Sequence, residues 1–227
     1  HIDKLEPAFR YPGTIHGSAL HRCLKNMSEG EMDGDMRSLY IKALNHYLYA
    51  SDESHIPVRW KRDMAKEIEA LTKNGVEILE NYRSKAYNRD AIVLFSEVPF
   101  RVKILGYLFT GTMDQCRKNV DGTISLIDFK SSKMRPNQYA IPNDLQLTLY
   151  SYALKFGEVL VDGIWLKPNM MVDSVGIYFL RAHEVYKRKV VGKEIGDEKS
   201  DPFMMTKKSI QDLRAFRHEI RSQLSAM

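Results

Sequence analysis

The sequence predicts an α/β or α+β protein with helices first, then a β-meander, then alternating helices and strands. Three observations support this prediction. Apolar residues recur at intervals of three and four over roughly residues 15–87, the period of amphipathic helices. Between about residues 91 and 130, β-branched and aromatic residues dominate, which is typical of strands. The helical period returns at Asp144–Phe156 and again in the closing segment Ser209–Leu224.

The first part is predicted to be entirely helical apart from its loops. His21 lies on the earliest helix, beside the apolar residues Leu20 and Leu24. The last of these helices covers residues 59–84 and contains Asn74-Gly75. Because Gly costs about 1 kcal/mol inside a helix, we expect this pair to break or bend it.

The middle part contains three segments with strand composition. The predicted strands are Ala91–Phe95, Ile104–Met113 and Thr123–Phe129. Asp121-Gly122 is a turn signal, so the last two segments are expected to form an antiparallel hairpin. Further strands are predicted at Val175–Leu180 and Val185–Val191.

Length and composition exclude several classes of protein. A chain of 227 residues with 44% hydrophobic and 28% charged residues forms one large domain, or one core with an insertion. Its longest apolar runs are too short for a transmembrane helix. Cys23 and Cys116 cannot build a disulfide framework or a four-thiolate metal site, and they fit a reducing, intracellular compartment without secretion. The formal charge of +5 permits a polyanionic partner.

The predicted hairpin places charged residues together. Asp128 and Lys130 are two apart on a strand and therefore point to the same face. If Asp121-Gly122 centres the turn, Asp128 lies opposite one of residues 113–115, and a three-residue loop would put Asp114 directly opposite it. Like charges in this position are unfavourable unless something compensates them, and two carboxylates with a lysine suit a divalent cation site. An ordinary surface cluster of ion pairs is the alternative interpretation.

Other polar residues have both a functional and an ordinary interpretation. Gln146 and Tyr150 share one face of a helix, as a packing pair does. His21 beside an apolar stripe is consistent with a packed histidine as well as a ligand. Glu97, in Ser96–Phe100, is either part of a site or a carboxylate at a strand end.

Taken in order, these residues resemble the PD-(D/E)xK nuclease superfamily, most closely its RecB-like exonuclease branch. The matching segments, from about residue 15 to 155, are Gly17-x-x-x-His21, Glu97-x-Pro-Phe100, Gly111-Thr-Met-Asp114, Ile127-Asp128-Phe129-Lys130 and Gln146-x-x-x-Tyr150. The resemblance implies a restriction-endonuclease-like α/β core of about residues 90–227, a mixed central sheet flanked by helices. It also implies a helical elaboration at about 28–88, between the His21 helix and the catalytic sheet, within a single nuclease domain, 1–227.

The resemblance also implies a metal site. Asp114 and Asp128 would bind one or two Mg²⁺ or Mn²⁺ ions, with the Phe129 carbonyl as a further oxygen ligand. His21 would be an additional ligand, and its imidazole suits Mn²⁺ better than Mg²⁺. Four cysteines accompany the iron–sulfur members of this branch, and the two cysteines here predict no iron–sulfur cluster.

By the same resemblance, Lys130 would orient the attacking water and stabilise the charge of the transition state. Gln146 and Tyr150 would line the active site and position the nucleic-acid strand, and Glu97 would join the surrounding shell. Position 113, before Asp114, is Met where the name of the superfamily has Pro, which is common in this branch.

The predicted function is a metal-dependent DNA exonuclease that prefers single strands or free ends, in recombination, repair or phage DNA metabolism. A helicase or recombination protein is a candidate partner, and no membrane is expected. The alternatives are an endonuclease of the same fold, acting on DNA or RNA, and a non-catalytic DNA-binding module with a retained site.

Three basic patches are candidates for the binding surface, or are simply solvated basic faces. They are Arg59–Arg62, Tyr186–Lys189 and the helical set Arg214, Arg217 and Arg221.

Overall fold

The computed structural model describes residues 7–31, 35–84, 91–182 and 201–225. The chain divides into two units, His1–Lys85 and Ala86–Met227. The predicted strand Val185–Val191 and the basic patch Tyr186–Lys189 lie outside the described residues. Within the four described segments, no helix is both long and apolar enough to cross a membrane. The assignment of the whole chain to a single nuclease domain stays a prediction.

The first unit is helical, as predicted. Its helices are α1 (Pro12–Ser28), α2 (Met36–Asn45) and α3 (Met64–Ser84), with a π-helical turn at His46–Ala50 and a 3₁₀ turn at Asp52–His55. Pro12 stands at the first position of α1, where its missing N–H costs nothing. The Asp35 carboxylate accepts a hydrogen bond from the Ser38 N–H at 2.7 Å and so caps the N-terminus of α2.

The expected break at Asn74-Gly75 is wrong, because α3 continues through both residues. Gly75 is buried, and a Cβ atom at this position would collide with the ring of Tyr40 on α2. Tyr40 is itself fully buried and hydrogen-bonded to His16. The glycine therefore provides room for a helix–helix contact instead of ending a helix.

Gly75→Ala is expected to lower the free energy of unfolding by about 1–3 kcal/mol, because the cost of overpacking exceeds the gain in helix propensity. The matched control is Gly13→Ala on α1, where an added Cβ meets nothing within 4 Å. That change is expected to be neutral or to stabilise by up to about 1 kcal/mol. Urea denaturation of both variants measures the difference, and equal stability of the two would contradict the packing role of Gly75.

The second unit contains a seven-stranded mixed sheet. Its strands are β1 (Ile92–Ile104), β2 (Tyr107–Lys118), β3 (Ile124–Lys130), β4 (Glu158–Val161), β5 (Ile164–Leu166), β6 (Ser174–Phe179) and β7 (Phe203–Lys207). They lie in the order β5-β4-β1-β2-β3-β6-β7. The β3–β6 pair is parallel and the other neighbours are antiparallel. This is the predicted α/β architecture.

Among the described residues of this unit are the α-helices α4 (Leu145–Phe156) and α5 (Ile210–Ser225), both of which were predicted, and a 3₁₀ helix at Gln138–Asn143. Helix α4 packs on β1, β3, β4 and β6, and α5 packs on α4. The Asp144 carboxylate caps α4 by accepting from the Leu147 N–H at 2.9 Å. Gly157 ends α4, and a Cβ there would lie only 2.5 Å from the Arg101 carbonyl oxygen.

The strand boundaries differ from the prediction at the first hairpin. The predicted strand Ile104–Met113 begins too early, because Ile104 ends β1 and pairs with Tyr107 across a two-residue turn. Leu105 and Gly106 form that turn with positive φ angles of 53° and 90°. Leucine is not a usual turn residue, so the sequence gives only a weak turn signal there.

The strands β4, β5 and β7 were not predicted. A clear signal existed for the β4–β5 hairpin, because Asp162-Gly163 is an Asp-Gly pair and both residues have positive φ, 49° and 78°. The two strands are only four and three residues long, too short to show an alternating pattern.

Candidate active site

Among the registers that the sequence allows, the β2–β3 hairpin has the one with a three-residue loop. The Asn119 N–H donates to the Thr123 carbonyl at 2.8 Å and so encloses a three-residue loop that contains Gly122 at φ 83°. The paired residues end with Gln115 opposite Ile127. The next position along this register brings Asp114 opposite Asp128.

The Asp114 carboxylate lies where the backbone pairing of β2 and β3 stops. Its Oδ2 accepts a hydrogen bond from the Phe129 N–H at 2.6 Å. In a strand, the N–H and C=O of one residue point to the same neighbour, so the Phe129 carbonyl also faces β2. Asp114 and Asp128 are only 7% and 2% exposed. Two carboxylates are thus held out of water on adjacent strands, where their charges repel.

A chain of polar contacts connects β3 to α4. Lys130 Nζ lies 2.7 Å from Asp128 Oδ2 and donates to Gln146 Oε1 at 3.3 Å. Gln146 Nε2 in turn donates to the Tyr150 hydroxyl, one helical turn further along α4. The two helical residues that the sequence pairs at i and i+4 are therefore in contact with each other, and Gln146 also contacts the lysine.

Glu97 on β1 joins this group. Its neighbours pair with β2 as Ser96–Gln115 and Val98–Met113, so Glu97 lies opposite Asp114. Carboxylate oxygens of Glu97 and Asp114 lie within 4.8 Å of each other. Glu97 has a φ of 47°, which is unfavourable for a residue with a side chain and costs about 1–3 kcal/mol.

The electrostatics of the site appear in the pKa of Tyr150. Burial raises this pKa, and the negative charges of Asp114, Asp128 and Glu97 raise it further against the opposing hydrogen bond from Gln146, to about 12. The phenol therefore keeps its proton near neutral pH and remains a hydrogen-bond donor. Its ring packs edge-on against an aromatic ring of β1.

The donor set fits a divalent cation. Three carboxylates and the Lys130 ammonium together carry a formal charge of −2, and two of the carboxylates are buried. Hard divalent cations prefer such oxygen ligands, and a second positive charge would relieve the repulsion among them.

His21 belongs to the other unit. It lies on α1 and is partly buried. Its role as a metal ligand stays a prediction.

Lys208 contacts the helix that carries Gln146 and Tyr150, and the sequence did not single it out. It is buried between β7 and α5, and its Nζ donates to the Pro142 carbonyl at 2.8 Å and to Thr148 Oγ1 at 2.9 Å. Burial lowers its pKa, and the charges of Asp212 and Asp144 partly oppose that shift. The two hydrogen bonds of Lys208 hold the first turn of α4, the helix that carries Gln146. No sequence motif marks it, since a lysine after a short strand is usually solvated.

Comparison with known proteins identifies the family. A family model described as the PD-(D/E)XK nuclease superfamily matches residues 2–227. No curated protein sequence matches the chain significantly. Solved structures also match, and one described as "Crystal structure of SSO0001" is 12% identical with a TM-score of 0.35, covering 100% of this chain and 79% of that one. Because the family model matches almost every residue, the chain belongs to the PD-(D/E)xK nuclease superfamily, a class of metal-dependent nucleases with a restriction-endonuclease-like α/β fold.

Proposed function

We propose that the chain is a Mg²⁺- or Mn²⁺-dependent deoxyribonuclease of the RecB-like exonuclease branch. It removes nucleotides from DNA that is single-stranded or has a free end. The observation that carries this proposal is the meeting of buried Asp114 and Asp128 with Lys130, at the point where β2 and β3 stop pairing.

Asp114, Asp128 and the Phe129 carbonyl would hold one or two metal ions, with His21 and Glu97 as additional ligands. A bound divalent ion supplies Lewis-acid stabilisation of the phosphate and a water molecule of lowered pKa. The support in this structure is the formal charge of −2 and the burial of the two aspartates. A histidine among the ligands favours Mn²⁺. No iron–sulfur cluster is included in the proposal.

Lys130 has a separate role in the proposal. Its ammonium lies between the Asp128 carboxylate and the Gln146 amide, so two contacts fix its position. A positive charge held in place stabilises the negative charge that develops on the phosphoryl oxygens in the transition state and orients the attacking water. Such preorganisation needs no rearrangement during the reaction.

Gln146 holds the lysine, and together with Tyr150 it would line the site. Gln146 accepts from Lys130 and donates to Tyr150, so the helical pair is part of the same hydrogen-bonded chain. The Tyr150 hydroxyl, which stays protonated, is suited to donate to a phosphate oxygen. This Gln-x-x-x-Tyr arrangement is the feature that supports the RecB-like branch over other nucleases of the fold.

The biological role follows from the substrate. A nuclease for DNA ends acts in recombination, repair or phage DNA metabolism, in a compartment that contains DNA. A helicase or recombination protein that supplies single strands would be a suitable partner.

The test is cleavage of end-labelled single-stranded and duplex DNA with Mn²⁺, Mg²⁺ or EDTA. We expect metal-dependent laddering from one end of the single strand and slower digestion of the duplex. Closed circular single-stranded DNA and RNA of the same sequence are the comparison substrates. Cleavage of the circle would replace the exonuclease with an endonuclease, and preference for RNA would change the substrate. Binding without any cleavage would favour the non-catalytic module.

A further inference from the structure

In the first unit, a short extended segment brings the start of the chain beside the basic patch Arg59–Arg62. Arg10 forms a parallel bridge with Val58. The Arg10 N–H donates to the Pro57 carbonyl, and the Arg59 N–H donates to the Arg10 carbonyl, both at 2.9 Å. Residues 9–11 and 57–59 are thus neighbours in space although they are far apart in sequence.

The Arg10 side chain holds this region together by hydrogen bonds to the backbone. It is buried, and its guanidinium donates to the backbone carbonyls of Ile56 at 2.9 Å, Ser54 at 3.2 Å and Tyr47. Arg10 thereby connects the π-helical turn, through Tyr47, with the 3₁₀ turn and the residue that follows it. The exposed residues of this segment therefore stand on a backbone that is held in place. The positive charge of Arg10 is occupied by these internal hydrogen bonds.

Phe9 and Tyr11 point the other way. Side chains alternate along an extended segment, so the residues on either side of buried Arg10 face solvent. Phe9 is 47% exposed and Tyr11 is 51% exposed. The Arg59 guanidinium lies over the Phe9 ring, 5.8 Å from its centroid. Two aromatic rings and a cation therefore share one exposed surface.

Lys61 and Arg62 extend the positive charge of this surface. Both side chains are exposed, and both backbone N–H groups donate to Glu67 Oε2, at 2.9 and 3.2 Å. The Asp63 carboxylate likewise accepts from the Lys66 N–H at 3.1 Å. The carboxylates of Glu67 and Asp63 are thus hydrogen-bonded to the backbone, while the cationic side chains are exposed to solvent.

We propose that this aromatic–basic surface, which consists of Phe9, Tyr11, Arg59, Lys61 and Arg62, binds a single-stranded segment of nucleic acid. The inference rests on the proposed function for the identity of the ligand, and it adds a contact surface in the first unit. Cations bind the phosphates, and exposed rings stack on unpaired bases, whose faces are hidden in a duplex. An aromatic and cationic surface suits this ligand better than an apolar peptide.

Binding is measured with the full-length chain carrying Asp128→Asn, so that no substrate is cut, using the fluorescence anisotropy of a labelled 20-residue oligothymidylate at several salt concentrations. The charge variant adds the substitutions Arg59→Ala, Lys61→Ala and Arg62→Ala. The matched control instead adds Lys42→Ala, Lys73→Ala and Arg83→Ala, which remove the same charge from exposed positions on α2 and α3.

We expect the charge variant to bind at least about tenfold more weakly at low salt and to reduce the slope of log K against log salt by about two, since each phosphate contact to a single strand contributes about 0.7. The control is expected to remain within about threefold of its parent. Equal affinity and equal slope for the two variants would overturn the inference, and the surface would then be assigned to a protein partner.

Stacking is tested separately with the double substitution Phe9→Leu and Tyr11→Leu. We expect at least about fivefold weaker binding of the oligothymidylate and unchanged binding of an abasic strand of equal length, because the abasic strand has nothing to stack. A general loss of structure would weaken both ligands alike, which would contradict stacking.

Cleavage of DNA by the wild-type chain tests the proposed function independently of the proposed binding surface. If the wild type digests DNA while the charge variant binds normally, only the inference about the surface fails. If the Asp128→Asn chain binds no oligonucleotide, the inference also fails.

Discussion

Asp128→Asn is expected to reduce cleavage by at least about a thousandfold without unfolding the protein. Asparagine keeps the shape of the buried side chain but removes the negative charge that would bind the metal. Loss of the Asp128–Lys130 ion pair and relief of the repulsion with Asp114 act in opposite directions on stability, so the metal-free variant should unfold close to the wild-type temperature. Single-turnover cleavage and thermal unfolding in EDTA measure the two effects.

The effect of Mn²⁺ on the unfolding temperature tells whether Asp128→Asn loses cleavage because it no longer binds the metal. Wild-type protein at a Mn²⁺ concentration of 100 times Kd should gain about 2.7 kcal/mol of stability, and Asp128→Asn should lose most of this gain. The matched control is Asp162→Asn in the β4–β5 turn, where φ is 49° and asparagine is well tolerated. That variant should keep both wild-type cleavage and the wild-type metal response. Asp128→Asn with activity near the wild-type rate would refute the proposed site.

Lys130→Met should lower kcat by about a hundred- to a thousandfold while KM changes little. Methionine has a similar length but no charge, so the loss falls on the stabilisation of the transition state. The metal response should have the opposite sign from that of Asp128→Asn. Removing an ammonium 2.7 Å from the carboxylate proposed as a metal ligand favours cation binding, so the unfolding temperature should rise with Mn²⁺ at least as much as in the wild type.

Lys133→Met is the control for the lysine, because Lys133 is exposed in the loop after β3. It should cleave DNA at the wild-type rate. If Lys130→Met instead lost its metal response together with its activity, the lysine would be holding the metal site in shape and would not be acting on the phosphate.

Much of the site could be predicted because it depends on local rules. The Asp121-Gly122 turn limits the β2–β3 hairpin to a few neighbouring registers, one of which pairs Asp114 with Asp128, and the two-residue period of a strand gives Asp128 and Lys130 a common face. The helical period likewise pairs Gln146 with Tyr150. Each of these relations spans few residues and follows from backbone geometry.

Relations over longer distances could not be predicted in this way. The bond from the Phe129 N–H to Asp114 requires β2 and β3 to stop pairing at one residue, and no composition rule states where a ladder ends. The room that Gly75 leaves for Tyr40 depends on how two helices pack, so helix propensity alone wrongly predicts a break in α3 at this residue. Lys208 is buried through contacts with residues that lie about 60 positions earlier in the chain, the Pro142 carbonyl and Thr148.

If Glu97 has the proposed role in the active site, its left-handed backbone places stability and activity in opposition at one position. Glycine adopts this conformation without cost, so selection for heat resistance alone would favour losing the carboxylate. Selection for activity would retain a side chain that the backbone accommodates poorly. Laboratory evolution for thermostability should therefore be monitored at residue 97, where a gain in unfolding temperature would come at the expense of the active site.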